Sequence, residues 1–278
     1  MTFEQFASAH GLIVNRIESG RWVRVPTEDH PNKRNGAYFF DGDYAHVQNW
    51  ATMAEVETWF MDKPMTVIDR QRQTERMEAS RRKAATERAQ QQRKAAEKAQ
   101  GILSQCRHEK HAYLDSKGFP DVEGLVYWPE EKTNLLVVPM RVGSHLVGVQ
   151  TIDVDGGKKF LFGQRCSGAE FRIGNSGLDV WVEGYATGLS AQAAIARLKV
   201  PHVIHVCFSA GNLEAMAKAA GHGVVIADND VSKAGEKAAQ ASGLRYFLPP
   251  DSGTDFNDFH RANGSFRASQ ALRSLLRE

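Results

Sequence analysis

The period of apolar and polar positions changes several times along the chain, and each change marks a boundary. Over residues 1–62 the signals are mixed. Thr2-Phe3-Glu4-Gln5 predicts a helix start and a first helix through His10. Residues 21–25 alternate polar and apolar side chains as a half-buried strand does, and Pro26 stops the run. Residues 37–40 and 44–47 flank Asp41-Gly42-Asp43 and predict a hairpin. A short helix over 53–61 is expected to close this small α+β module.

Residues 63–100 differ. From position 66 on there is neither Gly nor Pro, and Ala, Gln, Arg, Lys and Glu dominate. Helix formers throughout predict one helix about 50 Å long at 1.5 Å per residue. Apolar positions are too sparse for a heptad seam, which argues against a coiled coil. Between Arg70 and Lys98 ten basic residues face four acidic ones, a net of +6. That stretch reads as a solvated helical linker, or as an arm that contacts DNA.

Residues 101–174 form a strand-rich unit, with β-like runs at 135–140 and 145–152 and a turn at Asp155-Gly156-Gly157 before 158–162. Residues 175–262 alternate strand and helix. Strands are expected at 178–182, 202–207, 223–227 and 244–248, and helices at about 187–198, 211–220 and 233–242. Such alternation requires crossover connections and a mostly parallel sheet flanked by helices, an α/β fold. Positions 263–278 belong to closing helix.

Composition adds a few exclusions. Hydrophobic content of 42%, charged content of 24% and a net charge of +2 are ordinary for a water-soluble chain. Cys106, Cys166 and Cys207 lie far apart, which argues against a disulfide framework and against a zinc ribbon, so no zinc is expected. No run reaches the roughly 20 apolar residues of a membrane span, and the first 25 residues lack a signal-peptide pattern. A cytoplasmic protein without membrane contact is expected.

The chemistry lies where apolar runs end in acids. Glu183 follows 178–182, Asp228-Asn229-Asp230 follows 224–227, and Asp255 and Asp258 follow the fourth strand. Ligands of open α/β sheets bind at the carboxyl ends of the strands. Converging carboxylates repel one another unless a cation lies between them, and a hard oxygen-seeking ion such as magnesium (or manganese) suits them. Taken singly, each cluster reads as a helix cap or a turn. At three successive β-to-α junctions they read as a metal site for phosphoryl transfer, with Glu183, Asp228, Asp230, Asp255 and Asp258 as ligands. Cys207, Ser190 and Ser209 have no placed histidine-acid partner and read as buried or capping residues rather than nucleophiles.

The stretch from Trp181 through Glu183-Gly184-Tyr185-Ala186-Thr187-Gly188 to Ser190 resembles the first motif of TOPRIM domains in plasmid and phage primases. The likeness continues in Phe208-Ser209-Ala210-Gly211-Asn212-Leu213, in Ile226 to Asp230 with Gly235 behind, and in Asp255-Phe256-Asn257-Asp258. Upstream, residues 111–118 and the segment from Gly148 through Lys158-Lys159-Phe160-Leu161 look like the basic subdomain that precedes TOPRIM in those enzymes. The resemblance spans about residues 108–262. It implies RNA primer synthesis on a single-stranded DNA template from ribonucleoside triphosphates, in phage or mobile-element replication, beside a separate replicative helicase. It makes Glu183 a general-base-like or metal-binding glutamate and Asp228 and Asp230 the principal magnesium ligands. Lys117, Lys158, Lys159, Arg165, Asn212 and Lys233 would contact nucleotide or template. Relatives often carry a lysine where this chain has Thr254, so Lys233 is a candidate for that phosphate contact. The same carboxylates would serve a TOPRIM nuclease that cuts DNA or RNA, and a non-catalytic single-strand-binding protein is the third alternative.

The N-terminal module interleaves basic and aromatic residues, the combination that binds single strands by stacking bases and tracking phosphates. Arg21, Trp22, Arg24, Lys33, Arg34 and Tyr38 are its candidates. The competing reading is that the aromatics form a small core.

Overall fold

The structure, a computed structural model, describes residues 1–53, 55–61, 67–131 and 133–276, the side chains of 67–73 excepted. The chain divides into two compact units, Met1–Ser80 and Arg81–Glu278. The boundary expected at 62/63 lies outside the described residues.

In the first unit, helix α1 (Phe3–Ala9) starts in a capping box between Thr2 and Gln5, as the first four residues foretell. Strands β1 (Trp22–Val25), β2 (Gly36–Phe40), β3 (Tyr44–Asn49) and β4 (Glu57–Phe60) form an antiparallel sheet in sequence order. One face packs Tyr38, Ala45, Val47 and Trp59 against Phe3 and Ala7 of α1. Tyr38 thus corrects the expectation that it binds a template. It is fully buried, and its hydroxyl donates to the Arg16 carbonyl and accepts from the Glu18 amide. Its place follows from register, because Tyr38 pairs with Val23 on the apolar face, whereas Trp22 pairs with Phe39 on the other. The helix expected over 53–61 is another correction, since β4 occupies its second half. The β-formers Thr58, Trp59 and Phe60 extend the sheet beside β3, and Trp59 is buried there.

Helix α2 (Val67–Leu103) is the single long helix the sequence predicts. Its described surface is almost wholly exposed from 74 to 94. It then buries Ala95, Ala99 and Ile102, spaced for one helical face.

The second unit joins two five-stranded sheets. Strands β5 (Arg107–Glu109), β6 (Gly124–Glu130), β7 (Thr133–Val142), β8 (His145–Ile152) and β9 (Lys158–Phe160) make an antiparallel meander, with helix α3 (Ala112–Ser116) inserted after β5. Alternation along β7 sends Val137 toward Ala99 and Ile102 of α2. It sends Leu136 and Val138 the other way, into the core of the second sheet.

That sheet contains β10 (Phe171–Ile173), β11 (Leu178–Val182), β12 (His202–Val206), β13 (Val224–Ile226) and β14 (Arg245–Phe247), in the order β10-β12-β11-β13-β14. The last four are mutually parallel and β10 is antiparallel. Helices α4 (Tyr185–Ala196), α5 (Ala210–Ala220) and α6 (Ala234–Ser242) are the crossovers, and α7 (Phe256–Arg273), kinked at Gly264, packs along α4. The fold is α/β, as expected. One continuous core runs from Tyr113, Leu136 and Ile152 of the meander to Val182, Ile226 and Phe256 of the parallel sheet. The meander and the ends of the parallel strands are therefore held rigidly together. Among the described residues no helix is long and apolar enough to cross a membrane.

Candidate active site

β11 and β13 are neighbours, with Val182 opposite Ile226. Glu183 follows Val182 directly, whereas Asp228 comes two residues after Ile226, beyond Ala227, so the two acids leave adjacent strand ends one residue out of step. Fully buried valines and isoleucines fix that register, and both carboxylates emerge half-buried at the carboxyl edge of the sheet. Burial pushes the Asp228 carboxyl up to about 7, helped by the negative charges of Asp255 and Glu183. Against this work the Lys158 ammonium and a long contact, 3.5 Å, from the Thr187 hydroxyl. Burial likewise raises Glu183, Lys158 lowers it, and Asp230 raises it again. Burial thus opposes ionisation of both acids, and the Lys158 ammonium favours it.

Lys158 arrives from the meander. β9 pairs with β8 so that Lys158 faces Ile152, and its Nζ lies 3.9 Å from the point where a Cβ on Gly184 would stand. Of the basic candidates, this is the one whose charge acts on both Glu183 and Asp228. Lys117 ends α3, and its carbonyl accepts a hydrogen bond (2.9 Å) from the amide of buried Asn257, which also donates to the Ser190 hydroxyl at 2.9 Å. Lys159 is exposed one residue beyond Lys158, and Arg165 donates to the Ser167 carbonyl. Lys233 caps α6 in a left-handed conformation and is exposed. Asn212 is a correction. Its amide donates to the carbonyls of Ala169 and Cys207 and accepts from the Gly168 amide, so its polar atoms are spent on fastening a turn. Cys207 is fully buried, and burial pushes its thiol far up; Ser209 caps α5.

The remaining acids are held by the backbone. Asp230 accepts from the amides of Ala234 and Gly235 (3.3 and 3.0 Å) and from the Ser232 hydroxyl, which brings it down to about 2. Gly235 is required at this turn, because a Cβ there would lie 2.3 Å from the Asp228 carbonyl oxygen. Asp255 and Asp258 form a reciprocal capping box at the start of α7. Asn229 ties its loop to the 249–254 segment through Thr254 and Pro249, which keeps the Asp255 charge near Asp228. A five-carboxylate cage is absent. Among the described residues no three Asp, Glu, His or Cys side chains converge closely enough to enclose a metal ion. Magnesium, however, is commonly held by one or two carboxylates, with waters and substrate phosphates filling the other positions. Glu183 and Asp228, buried and electrostatically frustrated, fit that demand.

Two features escape sequence reading. Phe208 adopts a left-handed conformation (φ 67°) while its amide donates to the Glu183 carbonyl at 2.8 Å. Phe160 meets the Phe208 ring edge-on at 6.4 Å. The stretch of Lys158 and Phe160 on one strand carries the signal, but its nearness to Glu183 depends on the meander.

Residues 180–265 match the family described as the Toprim domain. Among curated proteins, none matches the chain in sequence. Among solved structures it is similar to the primase fragment of the bacteriophage T7 primase-helicase protein, with 16% identity, a TM-score of 0.42, and 59% of this chain and 74% of that one covered. It is also similar to a chain in the complex of the T7 lagging-strand DNA polymerase with primase domains bound to an RNA/DNA hybrid and dTTP (14% identity, TM-score 0.42, 60% and 91% covered). A DNA primase domain from Pseudomonas aeruginosa follows, at 16% identity and a TM-score of 0.35 over 63% and 57% of the two chains. Likeness at these scores adds no weight to the geometry above.

Proposed function

We propose that this chain is a DNA primase, joining ribonucleotides on a single-stranded DNA template. One observation carries the reading: Glu183 and Asp228 follow the ends of adjacent parallel strands, burial raises the pKa of both, and the Lys158 ammonium acts on both. Glu183 and Asp228 would hold magnesium or manganese, with the charges of Asp230 and Asp255 close by. The ion, when bound, neutralises charge developing on the reacting phosphate. Lys158 would bind the triphosphate, a task that suits an exposed ammonium beside buried acids. In the joining step the 3′-hydroxyl oxygen forms a bond to the α-phosphorus and the α–β anhydride bond breaks. Pyrophosphate leaves, and the hydroxyl proton passes to solvent. The half-buried Lys117 and the exposed Lys159, Arg165 and Lys233, with the basic helix α2, supply positive charge for the strand.

The outer face of the N-terminal sheet is the proposed template contact. Trp22 is half exposed and stacks on His46 at 6.1 Å, and the Arg24 guanidinium lies 4.0 Å over the Trp50 ring. Arg21, Lys33 and Arg34 are exposed nearby in sequence, with Arg21 paired to Glu18. Residues 1–61 hold eight acids against five Arg and Lys, so stacking rather than net charge would carry affinity there.

The test is incubation of the purified chain with single-stranded DNA, four ribonucleotides (one labelled in the α-phosphate) and magnesium. Labelled oligoribonucleotides are expected. Shortened DNA would assign the site to a nuclease, and retention of DNA with neither product would leave a binding protein. A separate replicative helicase is the proposed partner.

A further inference from the structure

Strand β9 presents more than a lysine. On a strand, residues two apart share a face at about 7 Å, so Lys158 and Phe160, the first and last residues of β9, lie on one face. Lys158 is the member that reaches Glu183 and Asp228. Phe160 is 45% exposed at the end of this short edge strand, and Phe162, in the turn that follows, is 88% exposed. Phe160 rests edge-on against Phe208. Phe208 in turn holds a left-handed backbone that a residue with a Cβ adopts at a cost, and its amide is bonded to the Glu183 carbonyl. An exposed ring is thereby braced at the rim of the carboxylate pair.

We infer that Phe160, braced by Phe208, is a stacking platform for a nucleobase whose phosphates lie over Lys158 and the Glu183–Asp228 pair. This deepens the reading above and rests on it. The occupant follows from complementarity: an aromatic face next to an ammonium and a cation-seeking pair of acids matches a ligand with a flat π-surface joined to phosphates. The base belongs either to the incoming ribonucleotide or to the template, and both offer the same face.

The experiment reads binding, without catalysis, on the full chain. Affinity is measured for ATP by calorimetry and for a fluorescein-labelled 12-nucleotide single-stranded DNA by anisotropy, both in magnesium. Wild type is compared with Phe160→Ala, Phe160→Leu and Phe160→Trp, with Phe266→Ser as an exposed aromatic on α7 away from the site. Phe160→Ala is expected to weaken one arm between about five-fold and a hundred-fold, the range for losing one stacked base. Phe160→Trp restores it, Phe160→Leu does not, and Phe266→Ser changes nothing. Loss in the ATP arm places the incoming nucleotide on the ring, and loss in the DNA arm places the template there. Unchanged affinity in both arms, or full rescue by leucine, overturns the proposal. A shift in oligomeric state on Phe160→Ala with affinities intact also overturns it and assigns the ring to contact between copies. Absence of primer synthesis with the affinity pattern preserved would sink the primase reading and leave the platform standing.

Discussion

Replacing Asp228 with asparagine should stabilise the metal-free protein while removing its proposed activity. Asp228 is pushed up from an ordinary value of 3.8 to about 7, first by burial and then by Asp255 and Glu183. A displacement of about three pH units corresponds to about 4 kcal/mol against the ionised form. The site is open to water on one side and its neighbours relax, so about half of that, ~2 kcal/mol, is the expected gain. For a unit of this size that raises the melting temperature by roughly 4–8 °C. The sign follows from linkage. The folded pKa is raised, so the protonated carboxyl costs nothing below the unfolded value, and stability is lost as pH climbs from about 4 to about 7. An amide never ionises, so the advantage of Asp228→Asn should grow over that window and level off above it.

The assay is urea denaturation from pH 4.5 to 8.5, in EDTA and in excess magnesium. In EDTA at pH 8 the variant should unfold later than wild type. Magnesium should stabilise wild type and close the gap, because a cation offsets the repulsion in wild type alone. A variant no more stable than wild type in EDTA would refute the reasoning, as would a gain that does not vary with pH. Either result would mean that Asp228 is ionised and satisfied, not strained.

Other substitutions probe the supports of the site. Lys158→Met should cost about 0.5–1 kcal/mol at pH 8 in EDTA, as exposed ion pairs do, and less near pH 5, where Asp228 already carries a proton; equal losses at both pH values would mean that Lys158 does not act through the acids. Gly235→Ala forces a Cβ to within 2.3 Å of the Asp228 carbonyl. It should cost about 1–3 kcal/mol and abolish manganese binding read by electron paramagnetic resonance; native affinity would show that the turn adapts. Asn257→Ala removes the bridge from the Lys117 carbonyl to Ser190, both at 2.9 Å, and should lower stability by about 2–3 kcal/mol. An unchanged denaturation midpoint would exclude Asn257 as a tie between meander and parallel sheet.

Legibility in the sequence depended on how local each determinant was. Strands 178–182 and 224–226 could be read directly, since a strand buried on both faces must be apolar throughout and its first acid marks the edge where ligands bind. That these two strands are neighbours was not fixed by the βαβ rule, because β12 lies between them in sequence and on the far side of β11 in the sheet. What Asp230, Asp255 and Asp258 do was not decided by that rule. Each lies in a β-to-α junction, where a carboxylate can face a cation or cap the next helix, and in the structure all three accept hydrogen bonds from the backbone. The spacing Asp255-x-x-Asp258 is itself a capping-box signature, so that outcome was available to a reading that weighted caps above charge. Tyr38 was ambiguous for a different reason. Alternation assigns it to one of two faces, and the partner strand decides which; pairing with Val23 put it inside and left Trp22 outside. Lys158 and Phe160 were the least legible in place. Twenty-five residues separate Lys158 from Glu183, and their meeting depends on a meander packed on the parallel sheet through Leu136, Val138 and Ile152. If that shared core positions the ammonium, then disrupting it at a distance should act like removing the charge. Leu136→Ala is fully buried and out of reach of any substrate, so it should mimic the pH-dependent part of Lys158→Met on top of a uniform cavity penalty of about 2–5 kcal/mol. A penalty with no pH dependence would mean that Lys158 keeps its place without the core beneath it.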